Sequence, residues 1–249
     1  MANQRKLTDN QIHLLKLIYK FRFVTADLLS EYRNQSNSTI HDSLSRLQQR
    51  GLINRRYDNQ DKIHGRPAGY FLESGGVKEL NDHIEVNDRI AHSYYKNKSV
   101  SPDFVDHCLH IFQAYNNFRA DYGDKVSMLA KAELADYDQF PATTPDLFIQ
   151  HQDNGKQYNL YIYENAHWFV VDKHIKQNIN HCEEDEWPGQ YPNLLMACPS
   201  LRTQQKLLRK YETNLEDFDM YFTTTEALLS GDQKIWVEPA SPETMITKG

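Results

Sequence analysis

Asn34–Phe71 reads N-Q-S-N-S-T-I-H-D-S-L-S-R-L-Q-Q-R-G-L-I-N-R-R-Y-D-N-Q-D-K-I-H-G-R-P-A-G-Y-F. Ser36 or Ser38 can cap a helix whose inner face is Ile40, Leu44 and Leu47, spaced i, i+4, i+7. Its outer face then carries Ser38, Thr39, His41, Asp42, Ser45, Arg46 and Gln49, with Arg50 at its end. Gly51 stands where a C′ glycine stops a helix. Leu52–Tyr57 follows as a basic strand, and the D-N-Q-D at 58–61 signals a turn. Gly65, Pro67 and Gly69 punctuate the rest of the loop, and Tyr70–Leu72 returns as a second strand. Lys62, His64 and Arg66 fall at the loop tip.

Two further helices precede this stretch. Thr8 and Gln11 form a capping box ahead of Ile12, Leu15, Ile18 and Tyr19, and Thr25 caps a second helix with Leu28, Leu29 and Tyr32 inward. Gly75 to Leu80 starts a short helix after the strands. Three helices and a two-stranded wing over residues 6–83 predict a winged helix-turn-helix. The polar side chains of 38–50 then face base edges, and Arg55, Arg56, Lys62, His64 and Arg66 face the DNA backbone. Such domains also dock proteins, and a charged outer face is usually just solvated. Asp42 opposes phosphate unless it reads a cytosine amine; Arg46 or Arg50, about one turn along, can neutralise it.

Charge divides the chain. Residues 1–100 hold 16 Lys and Arg against 11 Asp and Glu, a balance of +5; residues 101–249 hold 12 against 23, a balance of −11. The mildly basic first part suits a polyanion partner, and the acidic second part argues against wrapping the whole chain on nucleic acid. Fifteen Tyr and eleven Phe supply enough bulk for real cores, which excludes a disordered chain. No run approaches a membrane helix, no signal-peptide core opens the chain, and Cys108, Cys182 and Cys198 are too scattered for a disulfide framework. A soluble cytoplasmic protein is the expectation.

Residues 84–103 read as a polar linker. Phe104 to Tyr122 is an amphipathic helix, followed by a strand at Val126–Ala130. Leu147–Ile149 and Tyr158–Tyr163 are the arms of a hairpin turning at Asp153-Asn154-Gly155. A helix at 167–181, a strand at Leu194–Cys198, a helix at 201–212 capped by Ser200, a strand at Met220–Thr223, a short helix from Thr224 and an edge at Ile235–Val237 complete the pattern. The order predicts an α+β chain in which an α/β domain with a small mixed sheet spans 104–238 and a tail spans 239–249.

This order resembles the replication-relaxation family of plasmid and mobile-element proteins. Its carriers are Pro145-Asp146, the run Tyr161-Ile162-Tyr163-Glu164, Lys173, Y-P-N-L-L-M at 191–196 and Y-F-T-T-T-E-A-L-L at 221–229, and the likeness covers about residues 7–230. The resemblance implies a winged helix joined to a domain like the PD-(D/E)xK nuclease core. Active nucleases of that fold hold a divalent ion with an Asp and a Glu and activate water beside a Lys. Asp146 and Glu164 match the carboxylates, but Ala166 stands where the Lys is expected, and Lys173 lies farther on. The resemblance therefore implies a degenerate nuclease-like domain, with no catalytic residues.

Other chemistry is weakly supported. His107 and His110 share a helix face, but no C-x-x-C or second ligand pair accompanies them. Glu183–Glu186 lacks the alternating pattern of a calcium loop, and there is no nucleophile elbow or phosphate-cradling glycine loop. No metal or other cofactor is expected. The expected partners are double-stranded DNA and a second copy of the chain or another mobile-element protein, with no membrane. The expected role is transcriptional regulation or assistance in replication or transfer; the alternatives are a metal-dependent nuclease built on Asp146 and Glu164, or a protein-docking module without DNA affinity.

Overall fold

Side-chain oxygens close to backbone N–H groups start the first three helices. Thr8 caps α1 (Asp9–Phe21) with the reciprocal Gln11 contact of a capping box. Thr25 caps α2 (Ala26–Arg33), and Ser36 caps α3 (Asn37–Gln49). At the end of α3, the Gly51 N–H donates to Gln48 O and the Leu52 N–H to Leu47 O, with Gly51 at φ +70. That is a Schellman stop, and it requires the left-handed conformation glycine tolerates best. The chain then enters β1 (Ile53–Arg56), which pairs antiparallel with β2 (Gly69–Leu72). An isolated bridge between Val24 and Tyr70 adds a third short strand segment. This α–α–α–β–β arrangement is a winged helix.

The computed structural model describes residues 6–57, 63, 65–184, 187–212, 218–231, 235–239 and 241–245. They divide into two units, 1–112 and 113–249. In the first, Leu14, Leu15 and Ile18 of α1, Leu29 of α2 and Ile40, Leu44 and Leu47 of α3 are buried. Helix α4 (Ser74–Asn81) packs on the turn that leaves α3. A Cβ on Gly76 would lie 2.0 Å from Leu52 O, so only glycine fits there.

Residues 84–103 are not a linker. They hold α5 (Asp88–Tyr94), and Tyr94 and Asn97 are buried in the first unit. Tyr94 Oη donates to Tyr19 O, and the Arg22 guanidinium donates to Asn97 Oδ1 at 2.7 Å and to Ser93 O at 2.9 Å. The long helix α6 (Pro102–Tyr122) gives its first half to this unit, where Val105 and Cys108 pack with Phe23 and Phe71, and Phe112 stacks on Phe21. The first unit thus ends near residue 112, not at 83.

The second unit is built on a seven-stranded sheet, larger than the small sheet expected. β3 (Val126–Ala130), β4 (Leu147–His151) and β5 (Gln157–Ile162) run antiparallel. The short α7 (Lys131–Leu134) follows β3. Gly155, at φ +69, turns the β4–β5 hairpin. β6 (Asn193–Cys198) and β7 (Met220–Thr224) continue parallel to β5. The crossovers are α8 (Trp168–Glu183) and α9 (Leu201–Lys210). After α10 (Thr225–Ser230), β8 (Val237–Glu238) and β9 (Ser241–Met245) add an antiparallel edge, so the expected tail at 239–249 contributes a strand. Val171, Ile175, Met196, Leu207 and Phe222 form part of the core. The chain is α+β.

Candidate nucleic-acid interface

Helix α3 has one apolar ridge and one bare face. Ile40, Leu44 and Leu47 seat it in the first unit. Ser38, Thr39, His41, Asp42, Ser45, Arg46 and Gln49 are all exposed, and Arg50 is half-buried. At the N-terminus, Ser36 Oγ lies 3.0 Å from Ser38 Oγ and 2.9 Å from Thr39 Oγ1. Asn37 donates to Asp27 Oδ1 at 2.6 Å, which pins the start of α3 to α2. Gln49 donates to Ser45 Oγ at 3.4 Å. Among the described residues, the side chains of His41, Asp42 and Arg46 make no hydrogen bond or ion pair, and Arg46 and Arg50 do not pair with Asp42. The face offers donors, acceptors and one carboxylate to whatever meets it.

The wing divides its basic residues into two kinds. Arg55 is exposed on β1. Arg56 instead donates to Val100 O, and Arg66 pairs with Asp106 at 3.3 Å. Both are turned toward the α5–α6 segment, unlike Arg55, and would have to give up these contacts in part to meet phosphate. Asn54, on the Arg56 side of the pleat, donates to Glu73 Oε1 at 2.7 Å. Lys62 and His64 lie outside the described residues.

In the second unit, Asp146 immediately precedes β4 and is buried. Its Oδ2 accepts the Ile162 N–H at 2.8 Å, and its own N–H donates to Leu160 O at 2.9 Å. It clips β4 to β5. Glu164 lies just past β5 and is half-buried, whereas Lys173 is exposed on α8. Sequence reasoning assigned no site role to Tyr163 or His174, whose Oη and Nδ1 are 2.7 Å apart. Burial, then Asp146, pushes the Tyr163 hydroxyl well above its ordinary value; burial, then Lys173, pushes His174 down. Among the described residues, no group of three or more His, Cys, Asp and Glu is placed to hold a metal ion. Asp146 is engaged with backbone and Ala166 replaces the expected Lys, so this corner does not fit a two-carboxylate metal centre with an activating cation. Among the described residues, no helix is long and apolar enough to cross a membrane.

No family model and no curated protein matches the chain. Among solved structures, it is similar to wild-type MarR (apo form) from E. coli, at 21% identity and a TM-score of 0.29, over 41% of this chain and 73% of that one. A probable transcriptional regulator from Pseudomonas aeruginosa matches at 23% identity and a TM-score of 0.28, over 43% and 74%. A MepR mutant from a multidrug-resistant S. aureus clinical isolate matches at 19% identity and a TM-score of 0.29, over 41% and 72%. Likenesses at such TM-scores carry no weight for function; the bare face of α3 does.

Proposed function

We propose that the chain is a cytoplasmic, sequence-specific double-stranded-DNA-binding protein. It regulates transcription or assists replication or transfer of a plasmid or other mobile element. The observation that carries this is α3. One face is used up in packing, and the other presents hydroxyls, an imidazole, an amide, a carboxylate and a guanidinium, of which His41, Asp42 and Arg46 have no partner among the described residues. A major groove distinguishes base pairs by their pattern of donors and acceptors, and a helix with this mixture can match such a pattern. Arg55 beside it supplies a phosphate contact.

The second unit, on this reading, mediates dimerisation or recruits a partner and is not catalytic. The order α6–β3–α7–β4–β5–α8–β6, with Asp146 entering β4 and Glu164 just past β5, supports the resemblance to replication-relaxation proteins. A dimer would supply the second half-site that one winged helix lacks.

The test is fluorescence anisotropy over a salt series, comparing random duplex with DNA flanking the protein's own gene. Tighter binding to the flanking DNA is expected, and Arg46→Glu with Arg55→Glu should abolish that preference. Arg56→Glu should leave the preference unchanged if the protein stays folded. Equal binding of both DNAs by the wild type would remove sequence-specific reading. No binding at low salt would leave the docking-module alternative.

A further inference from the structure

Helix α9 reads L-R-T-Q-Q-K-L-L-R-K and contains four cations and no carboxylate. It belongs to a unit, 113–249, with twelve Lys and Arg against twenty-one Asp and Glu. One third of the unit's cations therefore fall on ten residues. Gln204 and Leu207 face the core, while Arg202, Lys206, Arg209 and Lys210 are exposed. Arg202, Lys206 and Arg209 are spaced i, i+4, i+7, so they form one stripe with steps of about one helical turn, ~5.4 Å. The stripe borders a shallow concavity with Trp168, whose ring lies 3.4 Å beneath Lys206 Nζ.

Helix stability does not explain this stripe. Arg209 and Lys210 suit the negative end of a helix, but Arg202 sits in the first turn, where the dipole disfavours a cation. A solvated helix face commonly interleaves Glu with Lys, and none is present. Lys210 is held by Asp172, yet Arg202, Lys206 and Arg209 make no ion pair among the described residues. Phe169 and Leu201, next in sequence to Trp168 and Arg202, are 57% and 60% exposed. Cations at turn spacing beside the half-buried Trp168 ring, with the exposed Phe169 ring next in sequence as a surface on which a base can stack, match a phosphodiester chain better than an acidic peptide.

We propose that Arg202, Lys206 and Arg209, with Trp168, form a second nucleic-acid contact that binds the phosphodiester backbone independently of α3. It reads no sequence and adds electrostatic affinity.

The full chain should be titrated with labelled duplex and labelled single strand across a salt series. Four proteins are compared: wild type, Arg202→Gln/Lys206→Gln/Arg209→Gln, Arg46→Gln/Arg55→Gln, and the combination. Three lost phosphate contacts lower the slope of log affinity against log salt by about 2–3 on duplex, and weaken low-salt binding roughly tenfold or more. The Arg46/Arg55 variant is expected to keep the α9-dependent part of the slope. A larger effect on single strand identifies unpaired nucleic acid as the source of the phosphates; a larger effect on duplex identifies the double helix. A triple variant that binds both probes as the wild type does overturns the proposal and leaves the α3 reading intact. Loss confined to the triple variant keeps this contact and overturns α3 instead. Equal competition by polyglutamate and by oligonucleotide also overturns it, because charge alone is then recognised. If the triple variant has a lowered melting temperature, Arg202→Gln alone serves, with an expected slope change of about 0.9.

Discussion

Helices α3 and α9 are built alike and finished differently. Each is started by a serine: Ser36 Oγ accepts the Thr39 N–H at 3.4 Å, and Ser200 Oγ accepts the Thr203 N–H at 3.2 Å. Each is seated by fully buried leucine, Leu44 in one and Leu207 in the other. The outer face of α3 mixes hydroxyl, imidazole, amide, carboxylate and guanidinium, whereas the α9 stripe carries only cations. Varied hydrogen-bonding groups can distinguish one base pair from another. Uniform positive charge can only attract phosphate. Similar scaffolding therefore supports two kinds of contact, one selective and one general.

The comparison can first be broken at the seats. Leu44→Ala and Leu207→Ala should each cost about 2–5 kcal/mol in chemical denaturation, because each removes a fully buried side chain. A loss well below 1 kcal/mol for Leu207→Ala would make α9 a loosely attached surface element and weaken the parallel.

Asp172 marks where the helices differ. It takes Lys210 and the Tyr211 hydroxyl on Oδ1 and Lys176 on Oδ2, and so ties α9 to α8. Burial pushes the Asp172 carboxyl up, but the hydrogen bonds from Lys210, Tyr211 and Lys176 outweigh it and hold it below its ordinary value. Asp172→Asn should cost about 1–3 kcal/mol at neutral pH. Because the folded-state value is depressed, the wild-type advantage is present above the unfolded value of about 3.9 and is lost as pH falls through the folded one. Urea melts at pH 7 and pH 3 should show the gap narrowing; a gap independent of pH would assign Asp172 a packing role only.

The caps should matter less. Ser36→Ala and Ser200→Ala are each expected to cost about 1 kcal/mol in thermal or urea melts. Similar losses would confirm that the helices share a starting device. The smallest effect is electrostatic: Arg46→Gln should lower the duplex salt slope by at most about 0.9 while reducing discrimination between sites. A full slope change with discrimination intact would turn Arg46 into a phosphate ligand and bring α3 closer to α9.

Much of this was legible because it is local chemistry. Thr8, Thr25, Ser36 and Ser200 each reach the N–H three residues on, and Gly51 stops α3 by its own backbone freedom. What was not legible depends on distant partners. Residues 84–103 look like a polar linker until Tyr94 meets Tyr19 and Asn97 meets Arg22. Arg56 and Arg66 look like free wing cations until Val100 O and Asp106 engage them. The α9 stripe was present as letters, but the charge of 101–249 taken as a whole conceals it. The expected edge at Ile235–Val237 meets β8 only at Val237, and β9 was missed because Ser241–Met245 carries a proline and no apolar alternation.

Arg22 holds an unusual backbone angle, φ +66. Its guanidinium lies over the rings of Tyr94 at 5.4 Å and Phe104 at 4.6 Å. A non-glycine residue keeps such a conformation only where its surroundings dictate it, and here most of those surroundings come from residues 93–104. This sets where the chain can be cut. A fragment ending at 83 would retain every helix and strand of the winged helix yet strip Arg22 of Ser93, Tyr94, Asn97 and Phe104, and Phe21 of Phe112. The smallest piece that keeps its own clasp closed runs to residue 112.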